Sequence, residues 1–163
     1  MNSIKKSPAV KTDLIMDDDV NNIILNFSRT SQYPKQHFQK VLIADRQLIV
    51  AKDLKQFLER LGYNILPVVN NEDRLFYMAL NNKPGLIITD TQLNRKSGGI
   101  DAIMKLSGLI NTHYIFLTTN SDYDFPFYSE QLNSYAVIKK PIEYGKLLFH
   151  INKALFPTFE NVE

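Results

Sequence analysis

The sequence predicts an α/β domain with a doubly wound parallel sheet, and three observations carry that prediction. Short apolar runs of strand length recur five times between residues 40 and 156. Each is followed by a stretch whose apolar residues fall at helical spacing. The runs are apolar at consecutive positions, as strands covered on both faces require. Alternating strands and helices then give a parallel sheet. Right-handed crossovers place helices on both sides of it.

The elements follow in order. Residues 41–44, VLIA, are the first strand. Val50, Leu54, Phe57, Leu58 and Leu61 form the apolar stripe of the helix after it, which Gly62 ends. Residues 64–69, NILPVV, read as a second strand, and Pro67, without an N–H, assigns it to a sheet edge. Leu75, Met78 and Ala79 mark a second helix, closed by Asn82-Lys83-Pro84. GLIIT at 85–89 is the third strand, followed by a helix carrying Ile100, Ile103, Leu106 and Ile110. YIFLT at 114–118 is the fourth strand. The helix expected around 123–132 is weakened by Pro126. YAVIK at 135–139 is the fifth strand, and Tyr144, Leu147, Leu148, Ile151 and Leu155 mark the last helix.

Residues 1–39 differ in character and read as a polar extension with one candidate helix. Asp17, Asp18 and Asp19 suit its N-terminus, where negative charge is favoured. Val20, Ile23, Ile24 and Phe27 follow at helical spacing. Docking on the chain's own domain, binding a partner or second copy, and disorder remain open for this segment. Residues 157–163 read as a short tail.

Composition narrows the function classes. The chain has 163 residues, enough for one domain with a core. Nineteen Lys and Arg oppose 17 Asp and Glu, and the net +2 lies entirely in residues 1–40. A neutral body gives no electrostatic footprint for nucleic acid. With no Cys there is no disulfide framework, thiolate zinc site or cysteine nucleophile. No apolar run reaches membrane-spanning length. No hydrophobic segment follows Lys5 and Lys6, so the expectation is a cytoplasmic protein without a secretory signal.

In a sheet of this kind the ligand site lies beyond the carboxyl ends of the strands. The first strand ends at Asp45 and Arg46, the third at Asp90, the fourth at Thr118 and Thr119, and the fifth at Lys139 and Lys140. Any one of these could simply begin a loop. Together, two carboxylates, a hydroxyl and an ammonium point to phosphate or metal chemistry. A Lys and a hydroxyl suit a transferred phosphoryl group, and paired Asp suit a hard cation such as Mg²⁺.

Four stretches, VLIADRQLIVAKDLKQFLERLGYNI, PGLIITDTQLNRKSGGIDAI, IFLTTNSD and YAVIKKP, resemble the receiver domain of two-component response regulators. The resemblance runs over 40–156, nearly three quarters of the chain. Its spacing is specific: Asp90 lies 45 positions after Asp45, Thr118 lies 28 after Asp90, and Lys140 lies 22 after Thr118. The resemblance implies a flavodoxin-like fold with strand order 2-1-3-4-5. It implies that Asp90 accepts a phosphoryl group from a histidine kinase or phosphotransfer protein. Thr118 is then the hydroxyl that contacts this group, and Lys140 binds one of its oxygens. Asp45, Asp90 and the backbone carbonyl of Gln92 become the Mg²⁺ ligands. Any catalysis is at most Mg²⁺-dependent self-phosphorylation from a phosphohistidine donor.

Departures from the family pattern bear on mechanism. Receivers carry two adjacent acids after the first strand, whereas this chain has Asp45 followed by Arg46. A guanidinium at the metal seat repels Mg²⁺ and is placed to pair with Asp90 instead; the bland alternative is a solvent-facing Arg46 beside a weakened metal site. Asn94 stands where Pro is usual, and residues 94–99, NRKSGG, read as a basic loop one residue longer than common. Thr119 replaces the usual Ala, and Val137 stands where a switching Tyr or Phe is usual.

Other motifs carry little. Gly98-Gly99 lacks the following Lys-Ser/Thr of a phosphate loop. His37, His113 and His150 are scattered. Tyr123, Phe125, Phe127 and Tyr128 form either an aromatic face for a partner or a repacked core. The sequence therefore predicts an atypical phosphorelay receiver acting by protein–protein contact, with homodimerisation left open and neither nucleic acid nor membrane as partner. Its rival is a pseudo-receiver that takes no phosphate. A small flavodoxin-like ligand binder is a third reading, without a motif of its own.

Overall fold

A computed structural model of the chain describes residues 21–22, 39–94, 98–119, 132 and 135–156. The chain divides into two compact units, residues 1–31 and 32–163. In the first unit the described residues, Asn21 and Asn22, are helical. The second unit contains β1 (Lys40–Ala44), α1 (Leu48–Arg60), β2 (Asn64–Ile65), α2 (Glu72–Asn82), β3 (Leu86–Asp90), α3 (Gly98–Leu106), β4 (His113–Thr118), β5 (Tyr135–Lys139) and α4 (Tyr144–Leu155). The strands form one all-parallel sheet in the order β2-β1-β3-β4-β5, as expected.

The register aligns the carboxyl ends. Ala44 lies beside Thr89, Asp90 beside Leu117, and Thr118 beside Lys139. Residues that follow these positions therefore emerge along one edge. Apolar side chains hold the strands between two helical layers. On one face Leu42, Ile87 and Phe116 pack with Leu75 and Ala79 of α2 and with Ile100, Ile103 and Leu106 of α3. On the other side α1 and α4 meet through the rings of Phe57 and Tyr144, 4.2 Å apart. The Tyr63 hydroxyl adds a hydrogen bond of 3.0 Å to Asn152 Oδ1. Burying a Leu- or Phe-sized side chain stabilises by about 1.5–3 kcal/mol, so the repeated apolar runs dictate this layering.

Local signals act where the sequence places them. Gly62 has φ 90°, the left-handed conformation that ends α1 without a Cβ clash. Asn71 caps α2, its Oδ1 accepting from the Arg74 N–H at 2.9 Å. Lys83, at φ 45°, closes that helix.

Three boundaries differ from expectation. The second strand is regular only at Asn64–Ile65. Pro67 offers no N–H, yet the amides of Leu66 and Val69 still donate to Val41 and Ile43 at 2.9 and 3.0 Å. Pairing thus persists as an interrupted ladder, including a Val69–Ala44 bridge. Helix α3 stops at Leu106 and not at Ile110. The Leu109 and Ile110 amides both return to the Leu106 carbonyl, and the Ser107 hydroxyl donates to Met104 O. Gly98 and Gly99, expected in a loop, open α3. The expected helix around 123–132, with its aromatic cluster, lies outside the described residues except for Leu132, which is buried. His37 and the expected helix of the extension likewise lie outside them, apart from Asn21 and Asn22.

Candidate functional site

The strand ends bring Asp45, Asp90 and Lys140 into direct contact. Lys140 Nζ donates to Asp45 Oδ2 at 2.7 Å and to Asp90 Oδ2 at 3.0 Å. The second oxygen of each carboxylate accepts a backbone amide two residues on: Gln47 N to Asp45 Oδ1 at 2.8 Å, and Gln92 N to Asp90 Oδ1 at 2.9 Å. Both acids therefore begin their loops with the same local turn. Thr118 is buried at the end of β4. Its carbonyl accepts the Lys140 N–H at 2.7 Å, which ties the lysine's backbone to the strand bearing the hydroxyl. The Lys140–Pro141 peptide is cis.

Burial explains the electrostatics. Asp45 is 0% exposed, and desolvation pushes its carboxyl above the ordinary carboxylate range. The Lys140 ammonium and the Gln47 amide oppose that rise. Nearby Asp90 adds to it, since two like charges share the site. One ammonium between two carboxylates leaves a formal excess of one negative charge, which suits a further cation.

Arg46 stands apart from this cluster. It is exposed, and among the described residues it forms no ion pair. The expected Arg46–Asp90 contact is replaced by Lys140 with both acids. A solvated guanidinium avoids the desolvation that a place among the acids would impose. Gln92 is half-buried beside Asp90. Asp45, Asp90 and the Gln92 backbone fit a hard cation that retains several waters. Among the described residues no three acidic, His or Cys side chains gather as a metal cluster.

Two supporting features escape the sequence reading. A Cβ on Gly99 would lie 1.9 Å from the Asp90 carbonyl oxygen, so only glycine lets α3 begin so close to the end of β3. The Gly98-Gly99 pair was its visible signal, but spacing alone assigns it to a loop. Asn94, in place of the usual Pro, accepts the Gly98 N–H at 3.2 Å and reaches Glu72 Oε2 at 3.5 Å. Glu72 Oε1 in turn pairs with Lys105 at 2.9 Å. No pattern in the sequence joins residues 72, 94 and 105.

The response regulator receiver domain model matches residues 41–152, more than half of the chain. The chain belongs to that family. This receiver is 31% identical over 119 residues to the phyllosphere-induced regulator PhyR of Methylorubrum extorquens, covering 72% of this chain and 43% of PhyR. It is 26% identical over 117 residues to the transcriptional regulatory protein PdtaR of Mycobacterium tuberculosis, covering 72% of this chain and 57% of PdtaR. The chain thus spans about half the length of these curated relatives. The signal receiver domain of a modulated diguanylate cyclase from Desulfovibrio desulfuricans G20 superposes with a TM-score of 0.64 at 26% identity, covering 72% of this chain and 93% of that one. Among the described residues of this receiver no helix is long and apolar enough to cross a membrane.

Proposed function

We propose that this receiver takes a phosphoryl group on Asp90 and signals by protein–protein contact. The observation that carries the reading is Lys140 Nζ held on both Asp45 and Asp90 while Arg46 faces solvent. An Asp90 oxygen forms the new P–O bond as the P–N bond of a phosphohistidine breaks; the imidazole leaves neutral after taking a proton from solvent. Lys140, already within 3.0 Å of Asp90, is placed to shift onto a phosphoryl oxygen and offset its charge. The Thr118 hydroxyl, one strand away, supplies a further contact. Asp45, Asp90 and the Gln92 carbonyl would hold Mg²⁺, which supplies positive charge for the transferring group. The donor and downstream partners belong to this proposal: a histidine kinase or phosphotransfer protein upstream and a regulatory protein downstream.

The rival reading is an interaction module that takes no phosphate. It draws on the single acid at Asp45 and on Lys140, which already neutralises part of the acidic cluster. Incubation with phosphoramidate, with and without Mg²⁺, followed by intact-mass measurement separates the two. The proposal expects one phosphoryl adduct that requires Mg²⁺ and is absent from Asp90→Asn. An unmodified wild type alongside a modified Arg46→Asp supports the rival.

A further inference from the structure

The cation site proposed above has two side-chain ligands, Asp45 and Asp90, and one backbone ligand, the Gln92 carbonyl. A carboxylate adjusts to a cation by rotating about its side-chain bonds. A carbonyl sits where its backbone puts it, so whatever fixes residues 90–94 sets that third ligand. Near Asp90, the Thr91 N–H donates to the Leu117 carbonyl at 3.0 Å, and Leu93 is buried in the core. At the far end the Asn94 side chain makes the connection. Its Oδ1 accepts the Gly98 N–H at 3.2 Å, at the start of α3. Its Nδ2 reaches Glu72 Oε2 of α2 at 3.5 Å, and Lys105 of α3 holds the other Glu72 oxygen at 2.9 Å.

Consecutive glycines make this junction. A Cβ on Gly98 would lie 2.6 Å from Asn94 Nδ2, and one on Gly99 would collide with the Asp90 carbonyl oxygen. The Asn94 amide and the Asp90 backbone thus rest on neighbouring residues at the start of α3. These contacts lie at either end of residues 90–94, with Gln92 midway between. Of the Asn94 contacts the Gly98 bond is the stronger. The Glu72 contact is long, and the Lys105 side chain that orients Glu72 is 65% exposed.

We infer that Asn94 is a positioning residue for the divalent cation: by fastening the segment after Asp90 to α3, it fixes the Gln92 carbonyl among the metal ligands. This role rests on the metal-assisted phosphoryl transfer proposed above. Mn²⁺ titrated into the full chain, with the free ion read by electron paramagnetic resonance, tests it. Asn94→Ala weakens Mn²⁺ about five-fold. Gly98→Ala does the same by a second route, since its Cβ displaces the end of a flexible amide while alanine favours the helix. It carries the test should Asn94→Ala unfold. The double variant binds no worse than either single one, because both remove one contact. In phosphoramidate uptake, the half-saturating Mg²⁺ rises about as much, while the rate at saturating Mg²⁺ holds. A merely structural role would lower the folded fraction and leave that half-saturation unmoved. Equal Mn²⁺ affinity in wild type and both single variants, or additive losses in the double, would overturn this role alone. Wild type that binds no Mn²⁺, or binds it equally after Asp45→Asn, would overturn the metal-assisted reading with it.

Discussion

The two ends of the sheet treat buried polar groups in opposite ways. At the carboxyl end, charged side chains are buried together, and each carboxylate oxygen of Asp45 and Asp90 has a donor. At the amino end a single neutral phenol, Tyr114, is buried without a hydrogen-bond partner among the described residues. The difference reflects magnitude. An unpaired buried charge costs several kcal/mol, roughly twice or more the 1–3 kcal/mol of an unsatisfied neutral group. Charges therefore persist in this core only as a mutually satisfied set, whereas one unpartnered hydroxyl is tolerated.

The sharpest way to break that contrast is to remove the shared cation. Lys140→Met leaves two acids facing one another without an ammonium, and a loss of about 3 kcal/mol in denaturant unfolding at pH 7 is expected. The loss shrinks on acidification, as Asp45, whose carboxyl burial holds above the ordinary range, takes up a proton. Gly99→Ala attacks the same end through the backbone. Its Cβ would press on the Asp90 carbonyl, and the shift of α3 should cost about 2 kcal/mol.

Asp45→Asn has the opposite sign. Burial raises the Asp45 pKa, so the folded chain binds that proton more tightly than the unfolded chain does. Its stabilising contribution is complete below the ordinary value of 3.8 and is lost as pH rises through the higher folded value. Asp45→Asn should therefore melt higher than wild type at pH 7, with the gap closing in acid. The gain is smaller than either loss above. Arg46→Ala should change stability by no more than about 0.5 kcal/mol, because the side chain is exposed and unpaired among the described residues. A larger loss there would place Arg46 inside the cluster after all.

The same contrast explains what could be read without coordinates. Parallel-sheet topology fixes which strand ends meet, so the positions of Asp45, Asp90, Thr118 and Lys140 along one edge follow from five apolar runs. Which cation pairs with the acids does not follow, because Lys and Arg at neighbouring strand ends differ only in reach and solvation. Lys140 has its backbone tied to Thr118 and its side chain directed across two strands, while Arg46 begins a helix-bound loop in solvent. Nor does the sequence disclose the Gly99 contact, since a close approach between α3 and β3 leaves no periodic trace. The turn between α3 and β4 is hidden too, because the apolar Ile110 makes α3 look one turn longer.

Phosphoryl uptake from phosphoramidate in Mg²⁺, compared between Lys140→Met and Arg46→Ala by intact mass, probes the central claim most directly. The account predicts that Lys140→Met loses the adduct while Arg46→Ala forms it at least as fast as wild type. Uptake that survives in Lys140→Met but disappears in Arg46→Ala would contradict it.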